Sequence, residues 1–395
     1  MSPSALGDAL RWAQTSDPAS IPETMTTACA SVAATDVVIY LVDFGQTTLE
    51  PLADRQAHAE LPQREAVSTS LAGRAFATQR PMIVERDDGV RVWVPIVEGS
   101  DRTGVLAMTV PAATHATLRA CEELGLFAGY LIATHARSTD VYNLHRRRRS
   151  LSLASSMQWD LLPPLVLKTS RLVVAGLIEP AYDVGGDCFD YALNGNVFDI
   201  AIFDPLGHGL SSALMAALCV GSYRHDRREA RPLRQMHANL DTAMSAQFPD
   251  AFATGQLARV HLHSGELTWT NAGHPLPLLI RQGQVVEQLA CAQTLPWGLA
   301  GTLTGAKVDA PVATVALEPG DSILFYTDGV IEPRKPGEAE FGIEHLIDLV
   351  GQHASDQLEP EEVVRRLVRT VREQQQDTLC DDATLVLFRW QNDQT

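Results

Sequence analysis

The stretch from Asp187 to Asp204 constrains this chain more than any other. Its two apolar runs, Cys188-Phe-Asp-Tyr191 and Val197-Phe-Asp-Ile-Ala-Ile-Phe203, flank Asn194-Gly195, and Asp187 and Asp204 stand at their outer ends. Asn-Gly supplies two residues that tolerate φ > 0 and is the strongest short hairpin signal. A two-residue turn flanked by Leu193 and Asn196 pairs Asp187 with Ile202 and makes Asp204 its diagonal neighbour, roughly 7 Å away. Two carboxylates held that close repel each other, so the hairpin calls for a cation between them or a proton on one of them. A hard-metal site is the first hypothesis.

The second half of the chain repeats the device. Ser322-Ile-Leu-Phe-Tyr-Thr327 is an apolar run ending in Asp328-Gly329, and Ala383-Thr-Leu-Val-Leu-Phe388 begins after Asp381-Asp382. Antiparallel neighbours of this kind place their carboxylates at one edge of a sheet. Any single acidic strand end reads most simply as a solvated turn residue; four of them, each closing a buried run, point to convergence.

These residues also carry a resemblance. Gly185-Gly186-Asp187, Asp204-x-x-Gly207-His208-Gly209, Asn271-Ala-Gly-His274-Pro, Tyr326-Thr-Asp328-Gly329-Val-Ile-Glu332 and Asp381-Asp382-Ala-Thr384 resemble, in order, the motif set of metal-dependent protein phosphatases of the PPM family, in its SpoIIE-like branch. The resemblance implies a β-sandwich flanked by helices, with two Mn²⁺ or Mg²⁺ ions at one edge. It implies that Asp187 bridges both ions, that Asp204 and the carbonyl of Pro205 hold one, and that Asp328 and Asp381 hold the other. Proline at 205 departs from the usual pattern. Asp190, Gly207, His208, Gly209, Asn271, His274, Gly329 and Asp382 are expected around substrate or behind the ligands, and Asp381 and Asp382 compete for one ligand role. His274 reads either as a proton donor to the leaving group or as a structural hydrogen-bonding residue. Cys188 lacks the Cys-x5-Arg loop of a cysteine phosphatase.

At 395 residues the chain has room for two or three domains. A formal charge of −17 argues against nucleic acid and anionic membrane as partners. No apolar run approaches the ~20 residues needed to span a bilayer, and the first residues lack a signal-peptide pattern, so a cytoplasmic protein is expected. The six cysteines form no close pair and suggest no disulfide framework.

Upstream, residues 1 to about 34 read as helical. Val37-Val-Ile-Tyr-Leu-Val42, Thr47–Leu52, Pro81–Val84, Val90–Ile96 and Gly104–Val110 read as strands of a small α/β domain with a central antiparallel sheet. The pattern around Leu71-Ala-Gly-Arg, Pro81, Val94-Pro-Ile96 and Gly104-Val-Leu-Ala107 resembles a GAF domain, which implies a possible small ligand. Between Ala116 and Gln158, Leu118, Leu124, Leu131, Val141, Leu144, Leu151 and Met157 recur at helical spacing. That favours one long helix, with His145-Arg-Arg-Arg-Arg149 as a solvated stretch of it.

The resulting expectation is an α+β chain: a GAF-like sensor over 1–115, a linker helix over 116–158 pairing two copies into a homodimer, and a SpoIIE-like phosphatase over 159–391. Its substrate would be a phosphoserine or phosphothreonine protein, with an anti-sigma-factor antagonist as the leading candidate. The alternatives are a catalytically degenerate PPM fold that only binds, and a GAF-centred sensor of small ligands.

Overall fold

The computed structural model describes residues 17–52, 62–179, 182, 185–299, 309–331, 342–355, 358–374 and 382–391. The chain divides into two units, Met1–Ser150 and Leu151–Thr395.

The first unit is built on a six-stranded antiparallel sheet in the order β3-β2-β1-β6-β5-β4. Its strands are β1 (Thr35–Val42), β2 (Thr48–Pro51), β3 (Glu65–Ala66), β4 (Met82–Arg86), β5 (Gly89–Glu98) and β6 (Asp101–Val110). Alternation along β1 sends Ile39 and Leu41 to one face and Tyr40 and Val42 to the other. Helices α1 (Ile21–Cys29) and α3 (His115–His135) cover the first face, and α2 (Leu71–Thr78) covers the second.

The long helix expected over 116–158 is three helices: α3, α4 (Val141–Arg146) and α5 (Leu153–Leu161). Side chains that compete with helical hydrogen bonding interrupt it. The Ser138 hydroxyl bonds the His135 carbonyl, Thr139 Oγ1 takes the Val141 amide, and Ser152 caps α5 through the Ser155 amide. Leu124 and Leu131 are buried in the first unit's core and Leu118 and Val141 pack on it, while Leu144 is exposed. With the helix broken and this part of its stripe covered, no continuous helical stripe runs from 118 to 157 for a second copy to pair with. The arginine run is anchored at its start, where Arg146 stacks on Phe44 at 4.6 Å and donates to the Val42 carbonyl, and solvated at its end, where Arg148 and Arg149 are exposed, although Arg148 donates to Thr47 Oγ1.

The second unit is a two-sheet sandwich with helices outside both sheets. One sheet has the order β15-β12-β11-β10-β9, from β9 (Cys188–Asn194), β10 (Val197–Pro205), β11 (Ala253–His261), β12 (Glu266–Ala272) and β15 (Ala313–Ala316). The other has the order β14-β13-β16-β17-β8-β7, from β7 (Val166–Lys168), β8 (Leu172–Glu179), β13 (Leu278–Arg281), β14 (Gln284–Gln288), β16 (Ser322–Tyr326) and β17 (Ala383–Trp390).

Period-two patterning along β10 decides the layers. Phe198, Ile200 and Ile202 enter the core between the sheets, where Phe198 stacks on Phe388 with ring centroids 5.1 Å apart. A ring pair of this kind adds about 1 kcal/mol to what burial of the two side chains contributes. Ala201 and Phe203 point outward to α6 (Leu210–Arg228) and α7 (Leu233–Gln247). Helices α8 (Gly342–Ser355) and α9 (Pro360–Gln374) lie at the second sheet, with Val363, Val364, Leu367, Val368 and Val371 of α9 buried against it.

Candidate active site

The turn of the β9–β10 hairpin lies one residue further along than the sequence expectation, so every cross-strand partner moves by two. Asn194 pairs with Val197 and Cys188 with Phe203, so the turn residues are Gly195 and Asn196. Gly195 takes φ +61°, and the first central position is the one that a II′ turn reserves for glycine. Continued one residue past the ladder, this register brings Asp187 opposite Asp204, whose charge acts on it. Asp204 shares strand parity with Ile200 and Ile202, and Asp187 shares it with Phe189 and Tyr191, so both carboxylates stand at the mouth of the sandwich interior.

The second sheet brings Asp382 to the same place. Tyr326, the last residue of β16, pairs with Leu385, and the same register continued two residues on puts Asp328 beside the start of β17. Asp382 is buried, and its carboxylate accepts the amides of Gly185 and Gly186, each at 2.6 Å, and of Asp187 at 3.1 Å. Three backbone amides on one carboxylate fix the path of the Gly-Gly-Asp loop across the gap between sheets. Gly186 is required by close approach, since a Cβ there would collide with Ser212 Oγ at the start of α6.

Asp187 is nearly fully buried, and its pKa is pushed well above the carboxylate range, first by burial and then by Asp204 and Asp382. The Thr327 and Thr384 hydroxyls oppose that push by donating to its Oδ2, at 2.6 and 2.7 Å. Gln158 of α5 reaches the same residue from behind, its amide donating to the Asp187 carbonyl.

Asp204 is partly exposed and accepts a bond from Thr254 Oγ1 at 3.1 Å. That hydroxyl has one proton, so its 2.8 Å contact with His274 must be accepted from Nδ1–H. Asn271 clasps the His274 backbone at both ends, with its Nδ2 on the His274 carbonyl and its Oδ1 on the His274 amide. Burial pushes the His274 pKa down to about 3, against a smaller pull from the Tyr326 backbone. The ring is neutral at ordinary pH, which favours its structural reading over proton donation: it orients Thr254 and, through it, Asp204.

The remaining candidates separate. Gly207 and Gly209 take φ of +84° and +79° in the loop that opens α6, and His208 between them is exposed. The Pro205 carbonyl is directed at α6, where Ser212 Oγ donates to it at 3.3 Å, leaving its second lone pair available. Gly329 is buried in the turn after Asp328. Asp190 does not belong with the carboxylates at the mouth. It is held by Arg224 at 2.8 Å and Arg227 at 2.7 Å on α6, so it fixes that helix to β9. Asp381 and Glu332 lie outside the described residues. Cys188 is buried with its thiol pKa raised, first by desolvation and then by Asp190, so it offers no thiolate nucleophile.

Among the described residues no three His, Cys, Asp or Glu side chains close a ligand set. The donor chemistry nonetheless fits a hard cation. Asp187 and Asp204 are opposed at a largely buried mouth, and Asp187 Oδ1 accepts no hydrogen bond among the described residues. A divalent ion would offset that repulsion.

Residues 194–391, half of the chain, match the family described as Stage II sporulation protein E (SpoIIE). The chain belongs to the SpoIIE family. Membership makes its C-terminal unit a protein serine/threonine phosphatase of the PPM type. Among curated relatives, phosphoserine phosphatase RsbU of Bacillus subtilis is 24% identical over 257 residues, covering 61% of this chain and 70% of that protein. Phosphoserine phosphatase RsbP of the same organism is 23% identical over 193 residues, covering 47% and 46%. Among solved structures, the SiaA-PP2C domain of Pseudomonas aeruginosa is 24% identical with a TM-score of 0.49, covering 60% of this chain and 94% of that one.

Proposed function

We propose that the C-terminal unit removes phosphate from phosphoserine or phosphothreonine on a small regulatory phosphoprotein, using two Mn²⁺ or Mg²⁺ ions, and that the first unit is a GAF-like sensor that regulates it. The observation that carries this reading is the opposition of Asp187 and Asp204 at the sandwich mouth, beside the edge where Asp328 and Asp382 arrive.

Asp187, Asp204, Asp328 and Asp381, with the Pro205 carbonyl, are the ligands this reading assigns. The engagement of Asp382 with three amides supports giving the remaining ligand role to Asp381. Paired divalent ions, when bound, neutralise phosphate oxygens and bring the pKa of a bound water toward neutrality. The chain's own contribution is positional. Asp382 fixes the Gly-Gly-Asp loop, the His274–Thr254 pair orients Asp204, and the Asp190–arginine network fixes α6 and with it the glycine loop at 207–209. No side chain in this reading forms a covalent intermediate. The two relatives named as phosphoserine phosphatases support the substrate class, and an anti-sigma-factor antagonist is the leading candidate. Among the described residues no helix is long and apolar enough to cross a membrane, which agrees with a substrate met in the cytoplasm.

The test is hydrolysis of p-nitrophenyl phosphate and of a phosphoserine protein, with Mn²⁺ and with EDTA. Manganese-dependent turnover is expected, and its absence on both substrates would favour a fold that only binds. Comparing the full chain with residues 151–395 tests regulation, because equal turnover under every condition would leave the first unit without that role.

A further inference from the structure

We propose that Thr327 and Thr384 are positioning residues that determine which oxygen of Asp187 is presented to the cation site; the inference rests on the two-ion reading above. The two threonines stand on adjacent strands, one step beyond the β16 end and one step inside β17, and both are fully buried. Both hydroxyls donate to the same oxygen, Oδ2, at 2.6 and 2.7 Å. A carboxylate oxygen has two in-plane lone pairs, so this pair saturates Oδ2 and leaves Oδ1 as the accepting atom.

The threonines are themselves fixed. Thr327 Oγ1 accepts the Thr384 amide at 3.0 Å, and the Thr327 amide bonds the Thr384 carbonyl at 3.1 Å. The hydroxyl of each therefore points across the sandwich rather than along its own strand. Asp187 lies at the end of a loop from the opposite sheet, so these two bonds are also a direct link between the sheets at the mouth. A serine at either position retains the donor, whereas valine keeps the shape and removes it. Partners that orient ligating carboxylates typically change metal affinity or activity by 10–100-fold.

The experiment is calorimetric titration of Mn²⁺ into the full chain, alongside steady-state kinetics, for Thr384→Val, Thr384→Ser, Thr327→Val, Thr327→Ser and Asp187→Asn. Thr384→Val is the cleanest variant, because its hydroxyl bonds only Asp187 among the described residues; Thr327 also takes part in the strand contact, so its variants are read only where thermal unfolding matches the parent. The expected result is Mn²⁺ affinity reduced about 10–100-fold in the valine variants and restored to within a few-fold by serine. At saturating Mn²⁺, kcat should fall in the valine variants while KM for the phosphoester changes little. Wild-type Mn²⁺ affinity and kcat in Thr384→Val would overturn the proposal, as would serine variants as impaired as the valine ones. Unchanged Mn²⁺ binding in Asp187→Asn would instead overturn the two-ion reading on which it rests.

Discussion

Acidification should destabilise the C-terminal unit through two histidines that never meet solvent. His274 and His237 are buried, with pKa values pushed down to about 3 and about 4 by desolvation. His237 sits between Thr270 Oγ1 at 3.3 Å and Thr294 Oγ1 at 3.0 Å, a setting that serves a neutral ring. An unfolded histidine titrates near 6.5, so below that pH the unfolded state binds protons that the folded state refuses. The stabilisation is complete above about 6.5 and is lost as pH falls toward the folded values. At pH 5 the unfolded chain is favoured by about 2 kcal/mol per histidine, from 1.36 kcal/mol per unit over roughly 1.5 units. For a unit of this size each kcal/mol moves the Tm by about 2–4 °C. The perturbation is His274→Asn, whose amide can still donate to Thr254 Oγ1 in place of Nδ1–H. Thermal unfolding of the full chain at pH 7.5 and pH 5 is the assay. The wild type should lose roughly 4–8 °C more than the variant between the two values. Parallel losses would refute the assignment of a buried neutral ring at 274.

Asp204→Ala should lower turnover by more than ~10³-fold, since it removes a ligand of the proposed site, while Cys188→Ser should retain most activity; a tenth of wild-type turnover in the alanine variant would sink the ligand role. Gly186→Ala should cost most turnover and weaken Mn²⁺ binding, because its Cβ meets Ser212 and must displace the loop that Asp382 holds, and an unperturbed alanine variant would show that the loop relaxes freely. Asp190→Asn should destabilise the second unit by about 3 kcal/mol, having left Arg224 and Arg227 without their buried counter-charge; denaturant unfolding reads it, and a change below about 0.5 kcal/mol would contradict the anchoring role.

The sequence exposed the second unit well because its strands obey period two and its turns carry Gly. The hairpin at 187–204 was readable to within one residue. That residue matters, because glycine at the first turn position rather than the second converts a diagonal pair of carboxylates into an opposed one. Asp190 is expected around substrate or behind the ligands, but strand alternation turns it to α6, where two arginines one helical turn apart receive it. Those arginines, Arg224 and Arg227, were the available signal. The linker breaks for a local reason: its apolar spacing runs through Ser138, Thr139 and Ser152, whose hydroxyls cap and end helices.

The contacts that build the mouth were not readable at all, and the reason is distance along the chain. Asp382 meets the Gly185 amide across 197 positions, and Thr384 meets Asp187 across the same span. No local periodicity encodes such a pair; only the closing of β17 between β8 and β16 brings it together. The order of assembly follows. The Gly-Gly-Asp loop has no hydrogen-bonding template until the last strand docks, so the acidic mouth completes only when the six-stranded sheet does. Asp382→Ala in the full chain should then remove the template that aligns Asp187, and with it Mn²⁺ affinity, while Asp381 and the β9–β10 hairpin are left in place. Calorimetry on this variant tests it: Mn²⁺ binding as tight as in the parent would show that the hairpin alone organises the carboxylates.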